Sequence, residues 1–438
     1  MTDSQTTDNT HWQRPFFTFW TGQAFSLFGS SLVQFALVWW ITQSTGSATL
    51  LATATLVGML PQIVLGPFAG ALVDRWKRKA VMIVADSSIA LVSLALAGLF
   101  FTGRAQVWHV FVAMALRSLG GAFHWPAMAA STSLMVPNQH LARIAGMNQA
   151  LNGVMGIIAP PVGAMALGFL PMGGVLLIDV ATAAFAVLAL VAVRVPEAAP
   201  APRVSGESAL SRMLRDVREG LGYVAKWPGL LALCSFAMLL NFLLTPAFSL
   251  LPLLVTRHYG GQALLLGELN SAMSLGVVAG GLILSAWGGF HKKIYTSLVG
   301  VVLMGAGTIV VGASPAGWVW LAVAGMALAG FANPIANGPL EAIFQASITP
   351  GMQGRVFGLI STGTSLISPI SLLVAGPISD TVGIQAWYWV AGVSCIGMAA
   401  VMAFVPALQN IEEQGRSLRD SAASPVVALA PEDPPSRL

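Results

Sequence analysis

Long apolar runs alternate along the chain with short polar breaks, and the first, from Pro15 to Val73, holds no charged residue and no histidine. A membrane span needs about 20 apolar residues to cross a hydrocarbon core of roughly 30 Å. That first run therefore predicts two helices joined at Ser44, Thr45 and Gly46. The same pattern continues to the C-terminus and predicts twelve spans, over 15–42, 48–73, 80–101, 107–136, 145–170, 174–195, 229–256, 264–289, 294–313, 318–347, 355–380 and 385–407.

Composition agrees. Of 438 residues, 56% are hydrophobic and 9% charged, with a mean hydropathy of +0.76, whereas roughly a quarter of a soluble globule is charged. The polar start, MTDSQTTDNTHWQR, leads straight into a full-length span, so no cleavable signal peptide is expected. With that start on the cytoplasmic side, 18 of the 21 bases fall in cytoplasmic segments, Arg104 and Arg257 fall outside, and Arg117 lies within a span. The positive-inside rule then orients the chain in its membrane with both termini cytoplasmic. The pI near 9.3 reflects this topology and implies no nucleic-acid partner. Cys234 and Cys395 stand alone in apolar runs, which indicates neither a disulfide framework nor a metal site, and no cofactor is expected.

Composition shifts between spans six and seven. PEAAPAPRVSGES is a Pro/Ala/Ser-rich linker. Beyond it, Leu210, Met213, Leu214, Val217, Leu221 and Val224 recur at helical spacing with Arg212, Arg215 and Arg218 between them. That pattern predicts an amphipathic helix, either a solvated joint between two halves or one lying on the anionic inner leaflet. The organisation follows: a cytoplasmic tail (1–14), a six-helix bundle (15–196), the linker with its helix (197–228), a second six-helix bundle (229–408) and a polar, disordered cytoplasmic tail (409–438). The halves echo each other where GAFHWPAMA (121–129) is laid on AGFANPIAN (329–337), pairing Phe123 with Phe331 and Pro126 with Pro334. A twofold repeat of six spans is a transporter signature, with substrate bound between rocking halves.

Charge concentrates in GALVDRWKRK (70–79). Its bases stop transfer and complement the negative end of helix two, but Asp74 adds nothing to orientation and instead suits a salt bridge or a helix cap. Gly70, Asp74, Arg75, Arg78 and Lys79 resemble the loop motif between spans two and three of the major facilitator superfamily, with Lys77 where that motif usually has Gly. LRSLGGAF, with Arg117 and Gly121, is similar to its fourth-helix motif. GIIAPPVGA, with Gly156, Pro160, Pro161 and Gly163, resembles its fifth-helix antiporter motif, Pro160 replacing a Gly. Over nearly the whole chain, stretches such as FWTGQAFSLFGS, RDVREGLGYV and FQASITPGMQGRVFGLI resemble the macrolide-efflux branch of the drug:proton antiporters. The resemblance implies an all-α fold of two pseudo-symmetric six-helix bundles, a loop network that latches the outward-open state through Asp74, Arg75 and Arg78, and a cavity lined by spans one, four, seven and ten.

Ionisable residues inside spans are costly and are functional candidates. Arg117 sits near the mid-depth of span four, with Gly121 and His124 on the same face. It serves either as a structural Arg paired with a carboxylate or, as the resemblance implies, in proton transfer. The acids are Asp86, Asp179, Glu268 and Glu341. By the resemblance Glu341, on span ten, is the best-placed proton carrier. Asp86 and Asp179, on peripheral spans, either take part in coupling or stabilise packing by pairing with Arg117 or capping a neighbour, and Glu268 lies near an outer end. His124 is a proton relay or a hydrogen-bonded structural histidine. Span one carries no acid, only Gln23 and Gln34.

For substrate, Gln34, Phe35 and Trp39 on span one, Asn241 on span seven and Asn337 on span ten combine aromatic walls with a few polar groups, as a site for large apolar molecules requires. The expected activity is proton-coupled export of hydrophobic drugs, macrolide-type antibiotics first, by a monomer that is not an enzyme and whose partners are the small-molecule substrate, protons and the lipid bilayer. An exporter of an endogenous metabolite such as a siderophore or lipid is the alternative, and a transporter-like sensor a weaker one. No HExxH, GxSxG or P-loop is present.

Overall fold

The computed structural model describes residues 12–73, 76–196, 209–348, 350–409 and 411. Every regular element among them is a helix. The first half comprises α1 (Gln13–Thr45), α2 (Ala48–Val73), α3 (Arg78–Phe101), α4 (Val107–Met135), α5 (Asn138–Phe169) and α6 (Met172–Ala192). After α7 (Ala209–Ala225), the second half comprises α8 (Pro228–Ser249), α9 (Leu251–Arg257), α10 (Ala263–Trp287), α11 (Lys293–Ala313), α12 (Val319–Ser347), α13 (Pro350–Val382), α14 (Gln385–Phe404) and the short α15 (Pro406–Gln409).

Eleven of these are long and apolar enough to cross a membrane. α4 is also long enough at 29 residues, but His109, Arg117 and His124 lower its hydropathy. The seventh expected span is broken at Leu250, between α8 and α9. Pro252, near the start of α9, supplies no backbone N–H, and the Tyr388 hydroxyl donates to the Ala247 carbonyl at 2.5 Å just before the break. The helix ends and loops at Lys77, His140, Arg194 and Lys292 share one face of the molecule, the basic face. The α1–α2 turn, closed by Gly46 at φ 61°, lies on the far face.

Within each half, helices pack through small residues, as membrane helices do when no hydrophobic drive joins them. A Cβ on Gly300 of α11 would fall within 2.6 Å of the Ala336 Cα of α12, so these helices touch backbone to backbone. α7 is strongly amphipathic, whereas a spanning helix such as α2 is apolar all round. It rests on the second half: Glu219 pairs with Arg355 of α13 at 2.6 Å, Gly220 abuts the Arg355 carbonyl, and Val224 is buried. Leu221 and Arg218 stay exposed. The side chains of Leu210, Met213, Leu214 and Val217 lie outside the described residues, as do 197–208, the N-terminal eleven residues and nearly all of the C-terminal tail.

The halves meet along two seams, α5 against α10 and α2 against α13. Both are tight toward the far face. The Gly267 position of α10 sits against Pro161 of α5, and Gly376 of α13 against Thr49 and Ala52 of α2. Toward the basic face both seams part: a Cβ on Gly70, Gly146, Gly281 or Gly358 would meet nothing within 4 Å. The molecule is closed at the far face and open at the basic face.

Candidate functional site

The opening is lined by pseudo-equivalent stripes from the two halves. On α12, Asn333, Asn337, Glu341 and Gln345 recur every four residues, with Asn337, Glu341 and Gln345 exposed. The other side of that helix, at Ala332 and Ala336, is buried. The sequence repeat places Trp125, Ala129 and Ser133 of α4 on Asn333, Asn337 and Glu341, and these three are exposed as well. A polar stripe of this kind is costly against lipid and suits a wet cavity. Beside the α4 stripe, a cavity of about 280 Å³ lies between α4, α5 and α1, with Trp125 and Met128 as apolar walls and Thr132, Asn148 and Asn152 as polar groups. Trp20 of α1 donates to the Asn148 side-chain oxygen at 2.7 Å at its edge.

The expected substrate residues are spread over these surfaces. Gln34 is exposed and turned by about 140° from Gly29, which contacts Thr182 and Asp179 of α6, so it points away from the bundle interior. Phe35 packs 3.0 Å from the Cβ position of Gly163. Trp39 is 4% exposed and belongs to the apolar core rather than to an open wall. Asn241 and Asn337 are exposed, and each side-chain amide donates to the carbonyl one turn back, of Ala237 at 2.9 Å and of Asn333 at 3.0 Å. Glu341 lies six residues from the basic end of α12, about 9 Å in depth, with no hydrogen bond or ion pair among the described residues. Glu268 is exposed near the far end of α10.

Four of the expected ionisable residues gather in the core of the first half, in two tiers. Toward the far face, Arg117 forms an ion pair with Asp179 of α6, which is 0% exposed. Asp179 also accepts from Ser93 of α3 at 2.7 Å and from Ser30 of α1 at 2.9 Å, and Arg117 donates to the Ser93 hydroxyl at 2.5 Å. Every strong acceptor in this tier meets a donor, which is what a buried charge pair requires. Toward the basic face, Asp86 of α3 is 3% exposed and lies 3.4 Å from His124 Nε2. The Gln23 amide of α1 bridges the two: its oxygen is 2.6 Å from His124 Nε2 and its nitrogen donates to Asp86 at 3.3 Å, while the Ser26 hydroxyl donates at 3.3 Å.

The tiers stand seven residues apart on three helices: Gln23 and Ser30 on α1, Asp86 and Ser93 on α3, Arg117 and His124 on α4. Two helical turns separate them by about 10 Å on a shared face. The amide and hydroxyl members are missed by attention to charged residues alone, and this common spacing is the sequence signal that finds them.

The fifth-helix motif forms part of the seam between halves. Pro161 has no N–H to donate to the Ile157 carbonyl one turn back, and that carbonyl instead accepts from Ser271 of α10 at 2.6 Å. Gly156 permits the same approach, its Cβ position lying 2.8 Å from the Ser274 hydroxyl, and Pro160 presents its carbonyl 3.1 Å from the Gly267 position.

A latch closes the far face. Asp380, near the end of α13, caps the start of α2 from the opposite half. It accepts from the backbone N–H groups of Ala48 at 2.9 Å and Thr49 at 3.0 Å and from the hydroxyls of Ser47 at 3.0 Å and Thr49 at 2.8 Å. A carboxylate there satisfies orphan donors and meets the positive end of the helix dipole. Arg257 of α9 pairs with Asp380 at 3.3 Å and donates to the Gly46 carbonyl. At the basic face, Arg78 donates to the Ala130 carbonyl of α4 at 3.2 Å, and Lys79 to the Val191 and Val193 carbonyls at the end of α6 at 3.1 and 2.7 Å. Asp74 and Arg75 lie outside the described residues. Asp380 is the residue that sequence reasoning passes over, although GPISD (376–380) repeats the Gly-x-x-x-Asp spacing of GALVD (70–74).

Known proteins share this architecture. The chain is 32% identical over 402 residues to macrolide efflux protein A of Streptococcus pyogenes, which covers 92% of this chain and 98% of that one. It is 26% identical over 398 residues to the multidrug efflux pump Tap of Mycolicibacterium fortuitum, covering 88% and 94%. Among solved structures, a bacterial homologue of the human lysosomal transporter Spinster, in an inward-facing and unoccupied conformation, superposes with a TM-score of 0.60 at 15% identity, over 96% of this chain and all of that one. Residues 19–366 match the profile of the Major Facilitator Superfamily, and the chain, a multi-pass membrane transporter, belongs to that superfamily, in its macrolide-efflux-like branch.

Proposed function

We propose that the chain exports hydrophobic small molecules, macrolide-type antibiotics foremost, by proton antiport with alternating access. The observation that carries this reading is the full-length similarity to macrolide efflux protein A. The basic face is cytoplasmic in this reading, following the positive-inside rule in a bacterial plasma membrane. Substrate enters the open side from the cytoplasm or inner leaflet, the halves rock about the α5–α10 and α2–α13 seams, and proton entry from outside resets the cycle. The apolar body of the drug rests against Trp125 and Met128, and the amides of Gln34, Asn241 and Asn337 orient it. Glu341, exposed and unpaired among the described residues, meets a protonated amine of the substrate.

Accumulation of labelled macrolide in exporter-deficient cells tests this. Cells expressing the chain should hold less drug than the empty vector, and a protonophore should remove the difference. Glu341→Gln should weaken export of a macrolide bearing a basic amine about tenfold more than export of a neutral analogue, the scale of one charge-assisted contact. Equal accumulation with and without the protein, once its presence in the membrane is verified, would move an endogenous metabolite to the front as substrate.

A further inference from the structure

We propose that the proton exchanged for substrate binds in the basic-side tier, on Asp86 and His124, and that Gln23 is the positioning residue that holds the pair together. The proposal deepens the reading of proton-coupled export and rests on it.

The contrast between the tiers carries the inference. Asp179 has a guanidinium and two hydroxyl donors, which leaves its charge compensated whatever else happens. Asp86 is nearly as buried but has no permanent cation beside it among the described residues: its partners are an amide and a hydroxyl, both at 3.3 Å, and an imidazole at 3.4 Å. The cluster therefore has no fixed countercharge, and its only ionisable members are the carboxylate and the imidazole. With His124 neutral and Asp86 ionised, the cluster bears one negative charge. One proton brings it to zero, held either as a carboxylic acid beside neutral His124 or as an imidazolium–carboxylate pair. Nothing else is formed or broken, and the proton returns to water on the other side.

The hydrogen-bond pattern fits. The Gln23 oxygen and the Asp86 carboxylate are both acceptors toward His124 Nε2, so Nε2 carries the hydrogen in the neutral ring. The Gln23 amide nitrogen then donates to Asp86, and the three side chains close a ring through which a proton can pass with small rotations. Among the described residues no other charge faces the cluster. α1 has only Arg14, α2 none, α5 only His140 and Arg143 at its basic end, α6 only Asp179, and α4 adds Arg117, already paired about two turns away, and His109 at its far end. α3 adds Arg78 and Lys79, whose side chains reach the ends of α4 and α6.

A cavity open to the same depth lies alongside. The 280 Å³ cavity extends from the basic ends of α4 and α5, at Ser133 and Leu141, to Leu27 and Trp125. Those two residues adjoin Ser26 and His124 in sequence, so the cavity reaches the depth of the cluster. Drug against Trp125 and proton at His124 would therefore bear on the same turn of α4.

The experiment uses the full chain in liposomes with a pH gradient, reading labelled-drug accumulation, drug-induced proton movement with a pH-sensitive dye, and drug counterflow without a gradient. Asp86→Asn should reduce gradient-driven accumulation and proton movement at least tenfold and counterflow less than threefold. Gln23→Leu, which keeps both titratable groups, should displace the pH at which transport is half-maximal, and Gln23→Asn should restore part of that displacement. If Asp86→Asn does not reach the membrane folded, His124→Gln and Gln23→Leu carry the test through the pH profile. Should the native protein couple drug to protons while these variants keep its stoichiometry and pH profile, the proposal falls and the antiport reading stands. If the native protein moves drug with no proton movement, both fall.

Discussion

Replacing Arg117 by Ala should destabilise the first half by about 3–5 kcal/mol, the usual cost of leaving a buried charge without its partner. Asp179 is fully buried, so the orphaned carboxylate has no water to turn to, and Ser30 and Ser93 supply only two neutral donors. Most of the loss should return when the second charge is also removed, because a neutral pair no longer bears the desolvation penalty. The measurement is the temperature at which purified protein loses its monodisperse gel-filtration peak: sharply lower for Arg117→Ala and for Asp179→Ala, and close to the native value for the double variant. Equal losses that simply add would mean that the two residues do not act as a pair. Arg117 is thus assigned first to the integrity of the bundle, and any effect of its removal on transport should be read against that.

Asp380→Ala should release the far face. The carboxylate caps α2 with four hydrogen bonds and pairs with Arg257 from α9. Losing a cap and an interface charge together should cost the closed arrangement about 2–3 kcal/mol, a shift of roughly 30- to 150-fold in the balance between closed and open. Gly376 lies one turn earlier, where an added Cβ would sit 3.0 Å from the Thr49 Cα, so the close approach of α13 that the cap needs depends on a glycine there. A single thiol at Gln34→Cys, in a background with Cys234→Ser and Cys395→Ser, reports access from the far face to a membrane-impermeant maleimide. Labelling should accelerate at least tenfold on Asp380→Ala and little on Asp380→Glu. Unchanged labelling would show that the far face is held shut by packing along the seams rather than by this carboxylate.

The helices were legible because a span has a minimum length and must be apolar, so charges and Gly/Pro turns mark their ends to within a few residues, except that α5 starts at Asn138 and α13 at Pro350, ahead of the apolar runs expected from 145 and 355. The break at Leu250 was not, since Pro246 and Pro252 each look like an ordinary kink until Tyr388 is seen to reach the Ala247 carbonyl. At the site, ionisable residues inside spans drew attention to Arg117, Asp179, Asp86 and His124, and the structure brings them together. Which acid meets which base depends on how α3, α4 and α6 face one another, which no single helix encodes. Ser26, Ser30 and Ser93 stayed silent, and Gln23 stood out only as a polar residue of an acid-free span, because one amide or hydroxyl in a membrane helix is usually satisfied by its own backbone, as Ser31 and Thr42 are here. Asp380 stayed silent for another reason: it stands two residues from the end of a span, where an acid is ordinarily solvated. Its meaning lies in a partner from the other half more than three hundred residues away in the chain.

Gradient-driven export is tested most directly by purified protein in liposomes whose interior is made acidic, with labelled macrolide outside. A weakly basic drug accumulates passively in an acid interior, so protein-free liposomes set the baseline. Proton antiport predicts accumulation several-fold above that baseline from molecules whose basic face points outward, with alkalinisation of the interior as drug enters, and collapse of both when the gradient is dissipated. Accumulation no greater than in protein-free liposomes, or uptake indifferent to the gradient, would contradict it.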